Sequence, residues 1–393
     1  MKIDVVIGAN YGDEGKGLVT EFLSSFSENS IIVLANGGSQ RGHTVNDPAY
    51  GKHVFHHFGS GTLRGKPTYF AESFLLNPMQ FVKEKDELEK LIGKKIVSYR
   101  DAHCFIQLPI DIALNWHIEK CRGERRHGSV GCGIWESTRR VKFSGDDFIK
   151  LYLSDIVNAP YEDQIRILKD CSYQYAIKRC REEGVSTKID LLDIFLSNGF
   201  IDHYIADAKR MWNECNEVSM HDLSRFDHVI FENGQGLMLD QYYNINDIDN
   251  TTPSYTGSIA VANLLQNSSL PVDSVSLNYV SRTYLTKHGA GRFDAECAGM
   301  KFEDSTNVYN EWQEGMRFGE LDYADLNRRI DIDYGYFRKF CTKCPNVYKN
   351  LVFTHCNEVS LADNHVVIAN ANRICTSSTD KANDIITELS LTA

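Results

Sequence analysis

Lys2-Ile3-Asp4-Val5-Val6-Ile7-Gly8-Ala9-Asn10-Tyr11-Gly12-Asp13-Glu14-Gly15-Lys16-Gly17 opens the chain, and Leu18–Phe26 follows with helical character. Lys2–Ile7 is a β-branched apolar run of the kind that forms a buried strand; glycines interrupt it and a helix resumes. A strand, a Gly-rich loop and a helix in that order aim backbone N–H groups and a helix N-terminus at an anion. Lys16 adds a point charge suited to a polyphosphate. The common phosphate loop has Gly in the place of Asn10 and Ser or Thr in the place of Gly17, so its metal-binding hydroxyl is missing. Asp13, in the middle of the loop, is the natural substitute ligand. A Gly-rich turn by itself is more often only a turn; the carboxylate and the lysine inside this one favour phosphate.

Working outward, Ser30–Leu34 repeats the strand signal and ends in Asn36-Gly37-Gly38-Ser39-Gln40-Arg41-Gly42-His43-Thr44. A histidine after glycines can approach a ligand and serve as a general acid near neutral pH; taken alone, His43 suits a loop residue bonded to backbone equally well. Asp111–Lys120 and Tyr161–Glu183 carry amphipathic helical patterns. Phe226–Phe231, running into Asn233-Gly234-Gln235-Gly236, reads as a buried strand, as do Asp273–Tyr279 and Asn350–Thr354. Strands that end in polar or Gly-rich loops are typical of open α/β sheets, whose ligands sit beyond the strand carboxyl ends. The expected fold is therefore α/β, with helices on both faces of a mostly parallel central sheet. With only 8 prolines and no repeat or linker, residues 1–393 read as one large domain.

Hydrophobic residues at 42% and charged residues at 24% exclude a disordered or collagen-like chain. No stretch approaches the ~18 consecutive apolar residues of a spanning helix, and the start runs straight into a strand, so no membrane partner and no signal peptide are expected. A net charge of −11 argues against nucleic acid as a partner but leaves room for a local anion pocket. Eleven scattered cysteines fit reduced thiols in a cytoplasm. Cys341 and Cys344 form a C-x-x-C, with His355 and Cys356 following; a second well-spaced ligand pair is missing, so ordinary thiols near a turn are the better reading than zinc.

The two loops together, in this order, resemble adenylosuccinate synthetase, whose members read W-G-D-E-G-K-G and G-G-x-N-A-G-H-T. The likeness continues in Phe55-His56-His57-Phe58-Gly59-Ser60-Gly61 (L-H-L-I-P-S-G), Gly128-Ser129-Val130-Gly131-Cys132-Gly133-Ile134 (G-T-T-G-R-G-I) and Phe231-Glu232-Asn233-Gly234-Gln235-Gly236 with Leu239-Asp240 (F-E-G-A-Q-G-T-L-L-D). Thr252-Pro253-Ser254-Tyr255-Thr256 stands where the family has Y-P-Y-V-T, and Tyr284-Leu285-Thr286-Lys287-His288-Gly289-Ala290-Gly291 is similar to Y-T-T-R-V-G-A-G. The resemblance implies a ligase acting on a 6-oxopurine nucleoside monophosphate in two steps. Asp13 would remove the N1 proton so that the 6-oxygen attacks the γ-phosphate of a nucleoside triphosphate, and the amino group of L-aspartate would then displace the 6-phosphate. Asp13, Lys16 and His43 would be the catalytic residues. The triphosphate would meet Gly12, Glu14, Gly15, Lys16, Gly17, Gly42, His43, Thr44, Asn357 and Ser378. The monophosphate would meet Asp13, Gln40, Ser129, Val130, Gln235, Thr256 and Gly315. Mg²⁺ would lie between Asp13, the Gly42 carbonyl and the phosphates. One of Arg139 and Arg140 would reach the monophosphate from a second subunit, implying a homodimer, with Tyr161–Phe200 as a cap or dimer element.

Four positions expected at nucleotide contacts depart from the family pattern. Thr354-His355-Cys356-Asn357 replaces T-K-L-D, whose aspartate accepts from two guanine donors; an amide both donates and accepts, which suits ATP or dATP, although a site that still admits GTP stays open. Glu314-Gly315-Met316-Arg317-Phe318-Gly319-Glu320-Leu321-Asp322 replaces R-R-R-R-T-G-W-L-D: the arginine at the ribose 2′-hydroxyl falls on Gly315, so a deoxynucleotide becomes acceptable, while Arg317 would still bind the aspartate carboxylate. Val130 replaces a threonine and Gln40 an asparagine. Divergent family members in phages that build 2-aminoadenine DNA use dGMP with ATP or dATP, and these departures point that way. Those members often carry a small residue such as serine where this chain has Asp13, which keeps IMP or dIMP open as substrate. A non-catalytic nucleotide sensor is the competing class; the presence of Asp13, Lys16 and His43 speaks against it.

Overall fold

A computed structural model describes residues 1–123, 126, 128–143, 145, 149–243, 252, 254–289, 291–302, 309, 315–361 and 371–389. Of the motif residues above, Pro253, Ala290 and Glu314 lie outside them. The strands are β1 (Lys2–Gly8), β2 (Ser30–Leu34), β3 (His43–Asp47), β4 (Gly51–Phe55), β5 (Thr68–Phe70), β6 (Ser98–Arg100) and β7 (Asn216–Glu217). Then come β8 (His228–Gly236), β9 (Ser274–Arg282), β10 (Leu285–His288), β11 (Met316–Gly319), β12 (Val347–Thr354), β13 (Arg373–Thr376) and β14 (Ile386–Leu389). The first four helices are α1 (Lys16–Ser24), α2 (Pro78–Ile92), α3 (Pro109–Arg122) and α4 (Ile134–Phe143).

Ten strands form one sheet in the order β14-β13-β12-β9-β1-β8-β2-β5-β6-β7, parallel throughout except for the β13–β14 pair. β1 lies between β8 and β9 and is buried along nearly its whole length. That is why its sequence shows a continuous apolar run and no alternation: a central parallel strand is covered on both faces. β2 shows the two faces directly. Ile32 and Leu34 join one hydrophobic cluster with residues of α1, α2 and α3; Ile31 and Val33 join a second with the helices Ile259–Asn267 and Tyr323–Phe340. The chain leaves β1 toward β2 on one side and reaches β9 on the other, so a crevice opens at the strand carboxyl ends around β1, where ligands bind in folds of this class.

Two antiparallel strand pairs stand outside the sheet, the β3–β4 hairpin and β10 with β11. The first carries His43 and the second His288. The helix read over Tyr161–Glu183 is interrupted by a π-helical stretch at Arg166–Cys171. Cys341 and Cys344 are buried with their sulfurs 3.1 Å apart, and no cluster of three metal-binding side chains occurs among the described residues.

Candidate active site

The crevice holds a cavity of about 830 Å³. Its walls come from the loop after β1, the β3–β4 hairpin, the loop before α4, and the ends of β8, β9, β10, β12 and β13. Asp13, Lys16, Gln40, Gly42, His43, Thr44, Ser129, Val130, Gln235, Asn357 and Ser378 all line it, as do Gly12, Gly15 and Gly17.

The first loop is tied by Glu14. Its buried carboxylate accepts from the N–H groups of Asn10 (3.1 Å) and Gly12 (2.8 Å) and pairs with the Lys16 ammonium at 2.6 Å. Glu14 thus supports the loop from behind and does not line the cavity. Thr354 at the end of β12 donates to the Glu14 carbonyl at 2.7 Å, so two strand ends fix one loop. Gly15, at φ 93°, caps α1. A Cβ on Gly17 would lie 2.9 Å from the Thr44 carbonyl oxygen and 3.1 Å from the His43 Cβ. The hydroxyl of the common phosphate loop has no room here, because the hairpin bearing His43 packs against the start of α1.

Asp13 holds φ 61°, a left-handed conformation that few non-glycine residues adopt. Arg282, at the end of β9, donates from Nε to the Asp13 carbonyl at 2.6 Å. The Asp13 carboxylate remains partly exposed to the cavity, with the His288 Nε2 at 3.5 Å from Oδ2. Gln235, at φ 64°, turns into the same space, and its buried Oε1 has no partner among the described residues. An acceptor left in that state suits a ligand donor.

His43 is fixed by a network the sequence did not foretell. Its Nδ1 lies 2.6 Å from Glu232 Oε1, which assigns the proton to Nδ1 and leaves Nε2 as the ring's other hydrogen-bonding atom. Glu232 also accepts from the Ser60 N–H at 2.9 Å, and the Arg41 guanidinium stands 3.5 Å away and 3.1 Å from His43 Nδ1. Burial, reinforced by Arg41, pulls the imidazole down to about 4, so the ring is neutral at pH 7. Arg41 and His288 occupy positions where the resemblance has alanine and valine; comparing the quoted motifs at those two places was the signal available. Arg282 carried no signal in the motifs.

Several expected site residues lie elsewhere. Arg140 is wholly buried, donates to Asp111 from Nε (2.9 Å) and Nη2 (2.8 Å), and caps the carbonyls of Ile106 and Ile149. It is a core residue and is not offered to a neighbour's phosphate; the half-buried Arg139 beside it is the remaining candidate. Thr256 is wholly buried, and its hydroxyl donates to the Gly236 carbonyl at 2.8 Å, so it braces the loop that carries Gln235. Gly315 is exposed and does not line the cavity. Nor does Arg317, whose guanidinium pairs with Glu296 and donates to the Gly289 and Gly291 carbonyls. Gln40, by contrast, does line the cavity, and its Oε1 accepts from the Gly38 N–H at 2.7 Å.

A family model described as adenylosuccinate synthetase matches residues 5–335, most of the chain and all of these walls except those from Thr354 onward. The chain belongs to the adenylosuccinate synthetase family. It is 27% identical over 308 residues to the adenylosuccinate synthetase of Blochmanniella pennsylvanica, covering 74% of this chain and 64% of that protein. With the Thermoplasma acidophilum synthetase it shares 26% over 343 residues, 84% of this chain and 73% of the relative. It therefore spans about two thirds to three quarters of the length of these relatives. The fold also matches the fully ligated adenylosuccinate synthetase of Plasmodium falciparum, with a TM-score of 0.64 at 17% identity over 98% of this chain and 87% of that one. The succinoaminodeoxyadenylate synthetase of cyanophage S-2L, bound to dGMP and dATP as an energy donor, gives 0.60 at 13% identity over 98% and 95%. At these identities the two structures speak to the fold, a synthetase-type α/β sheet.

Proposed function

We propose that this chain joins L-aspartate to C6 of a 6-oxopurine nucleoside monophosphate, with dGMP as the substrate and ATP or dATP as the donor. The supporting observation is the convergence of Asp13, Lys16 and His43, from a strand-end loop, a helix start and a hairpin, on one cavity that also receives Asn357 and Ser378. Asp13 takes the N1 proton of the purine. The 6-oxygen then attacks the γ-phosphorus of the triphosphate and releases ADP or dADP; the aspartate amine next attacks C6 and expels phosphate. An amide-like oxygen is a poor leaving group, and phosphorylation makes it a good one. Positioning and charge neutralisation carry most of such a transfer.

Lys16 supplies a fixed positive charge to the phosphates. His43, neutral in the free protein, gains a proton-favouring neighbour when a polyanion enters, while Glu232 keeps the ring oriented. A cavity-facing carboxylate, with Gly42 lining the same cavity, suits Mg²⁺, which takes few protein ligands and completes its shell with phosphate and water. Asp13 and the Gly42 carbonyl would hold it, and the chemistry it supplies when bound is neutralisation of the transferred phosphoryl charge. A homodimer, with Arg139 serving the neighbouring site, is part of this proposal. No helix among the described residues is long and apolar enough to cross a membrane.

The deoxyguanylate reading rests on Asn357 as an amide in the cavity wall and on Gly315 in place of a ribose-reading arginine. Asp13 itself favours the second reading, IMP with GTP, because its carboxylate occupies space near the purine 2-position. A substrate matrix decides between them. Each of IMP, dIMP, GMP and dGMP is incubated with L-aspartate, Mg²⁺ and each of ATP, dATP and GTP, and products are identified by mass. N6-succino-2-amino-2′-deoxyadenylate from dGMP with ATP or dATP is expected. Consumption of IMP with dGMP untouched overturns the deoxyguanylate reading, and no succino product from any pair overturns the ligase.

A further inference from the structure

We infer that His288 is a positioning residue for Asp13: its ring N–H holds one carboxylate oxygen and so turns the other toward the purine N1 proton. The inference deepens the proposed function and rests on its reading of Asp13 as the base. The two side chains meet with Nε2 at 3.5 Å from Oδ2, and both line the cavity. Apo contacts at catalytic groups are often long and tighten when substrate arrives.

Both partners are fixed from their backbones. Asp13 is set in its left-handed conformation, and its carbonyl is taken by Arg282 at 2.6 Å. His288 closes β10, paired to Met316 of β11; two residues earlier on that strand, Thr286 donates to the Gly12 carbonyl at 3.3 Å. Strand β10 is thus stitched to the loop that bears Asp13. A Cβ on Gly289 would come 3.2 Å from the Gly128 carbonyl, so the end of β10 also abuts the loop that carries Ser129 and Val130. His288 stands where the two loops meet. The strand position demands no imidazole for packing: the quoted family pattern has valine there, which offers a carboxylate nothing.

The Asp13 side chain is about a third exposed, and a carboxylate has two side-chain torsions to fix. A general base works only within hydrogen-bond reach of its proton, so a donor that removes one rotamer choice raises the fraction of productive complexes. Hydrogen-bond partners that orient a metal-ligating carboxylate typically carry about 10–100-fold in metal affinity or activity, and the same order is taken for Asp13.

The test compares wild type, His288→Val, His288→Gln and Asp13→Asn in the full chain, using whichever monophosphate and donor the substrate matrix identifies. Gln places an amide N–H near the site of Nε2; Val has no donor. The expected result is a kcat about 10–100-fold lower for His288→Val with KM for the monophosphate and the melting temperature little changed, and kcat within about threefold of wild type for His288→Gln. A His288→Val enzyme with near-normal kcat overturns the inference. So does a rise in KM with kcat preserved, or equal losses in Val and Gln variants. If Asp13→Asn itself turns over normally, the reading of Asp13 as the base falls instead.

Discussion

Glu232→Gln isolates the charge that holds the second loop in place. The Glu232 carboxylate is wholly buried, takes the His43 Nδ1–H and the Ser60 N–H, and faces the buried Arg41 guanidinium at 3.5 Å. Burial alone would push this carboxyl up; Arg41 and His43 outweigh it and hold it down at about 2. A carboxylate depressed from 4.5 contributes stability that is fully present above that pH and is lost as the pH falls through about 2. The amide keeps the shape but leaves Arg41 buried without its anion. Breaking a buried pair from one side costs about 3–5 kcal/mol, which lowers Tm by roughly 4–6 °C in a chain of this size. Arg41→Met with Glu232→Gln removes both charges, and the double variant should recover about 2 kcal/mol of that loss. The assay is urea unfolding at pH 7 for all four corners of the cycle. A loss under about 1 kcal/mol for Glu232→Gln, or a double variant less stable than that single variant, refutes the idea that charge pairing holds the loop.

Asp13→Asn should lower turnover by about 10²–10⁴-fold with nucleotide binding intact, and His43→Ala should likewise act on kcat more than on KM; phosphate release with and without aspartate checks both. Asn357→Asp should shift donor preference toward GTP by about threefold to tenfold, the net worth of one hydrogen bond at an exposed cavity rim; competition between ATP and GTP measures it, and a wild-type preference for GTP contradicts it. Glu84 accepts from the N–H groups of His56, His57 and Phe58, and burial pushes its carboxyl up to about 7. The folded chain therefore keeps a proton that the unfolded chain loses near 4.5, so this group's stabilisation is complete below 4.5 and is lost as the pH rises through about 7. Glu84→Gln should flatten the dependence of Tm on pH across that window.

The parts of the fold that were legible in the sequence are those whose burial is simple. Ser30–Leu34 is buried at every position and forms β2 with those bounds. Lys2–Ile7 needed only Gly8 added, and Asn350–Thr354 proved to be the last five residues of β12. The strands β5, β6 and β7, with three, three and two residues, are shorter than any pattern can mark. At Arg139-Arg140 the sequence shows two cations, but adjacent helical residues point about 100° apart, and only tertiary structure says that Arg140 turns inward to Asp111. The His43–Glu232 and Asp13–His288 pairs join residues far apart in the chain, so each partner could be read locally and the pairing could not. The motif around Arg317 names a carboxylate-binding residue; the structure has that fork filled by Glu296, a contact no spacing foretells.

The backbone gives a separate argument for catalysis over simple binding. Four non-glycine residues among those described hold a positive φ, and three of them, Asp13 (61°), Gln235 (64°) and His355 (59°), line the one cavity. Each sits at the carboxyl end of a strand of the same sheet: beyond β1, within the last residues of β8, and just after β12. A left-handed non-glycine residue costs about 1 kcal/mol or more. Phosphate binding needs no such strain, since Gly12, Gly15 and the helix start already provide N–H groups in a conformation natural to glycine. The strained positions are those where a side chain must reach into the cavity from a turn that glycine would make more cheaply. A nucleotide sensor would use a carboxylate at position 13 only as a metal ligand. A ligase that must take a proton from the purine edge has a use for a carboxylate there, and the strain at Asp13 is what that placement costs.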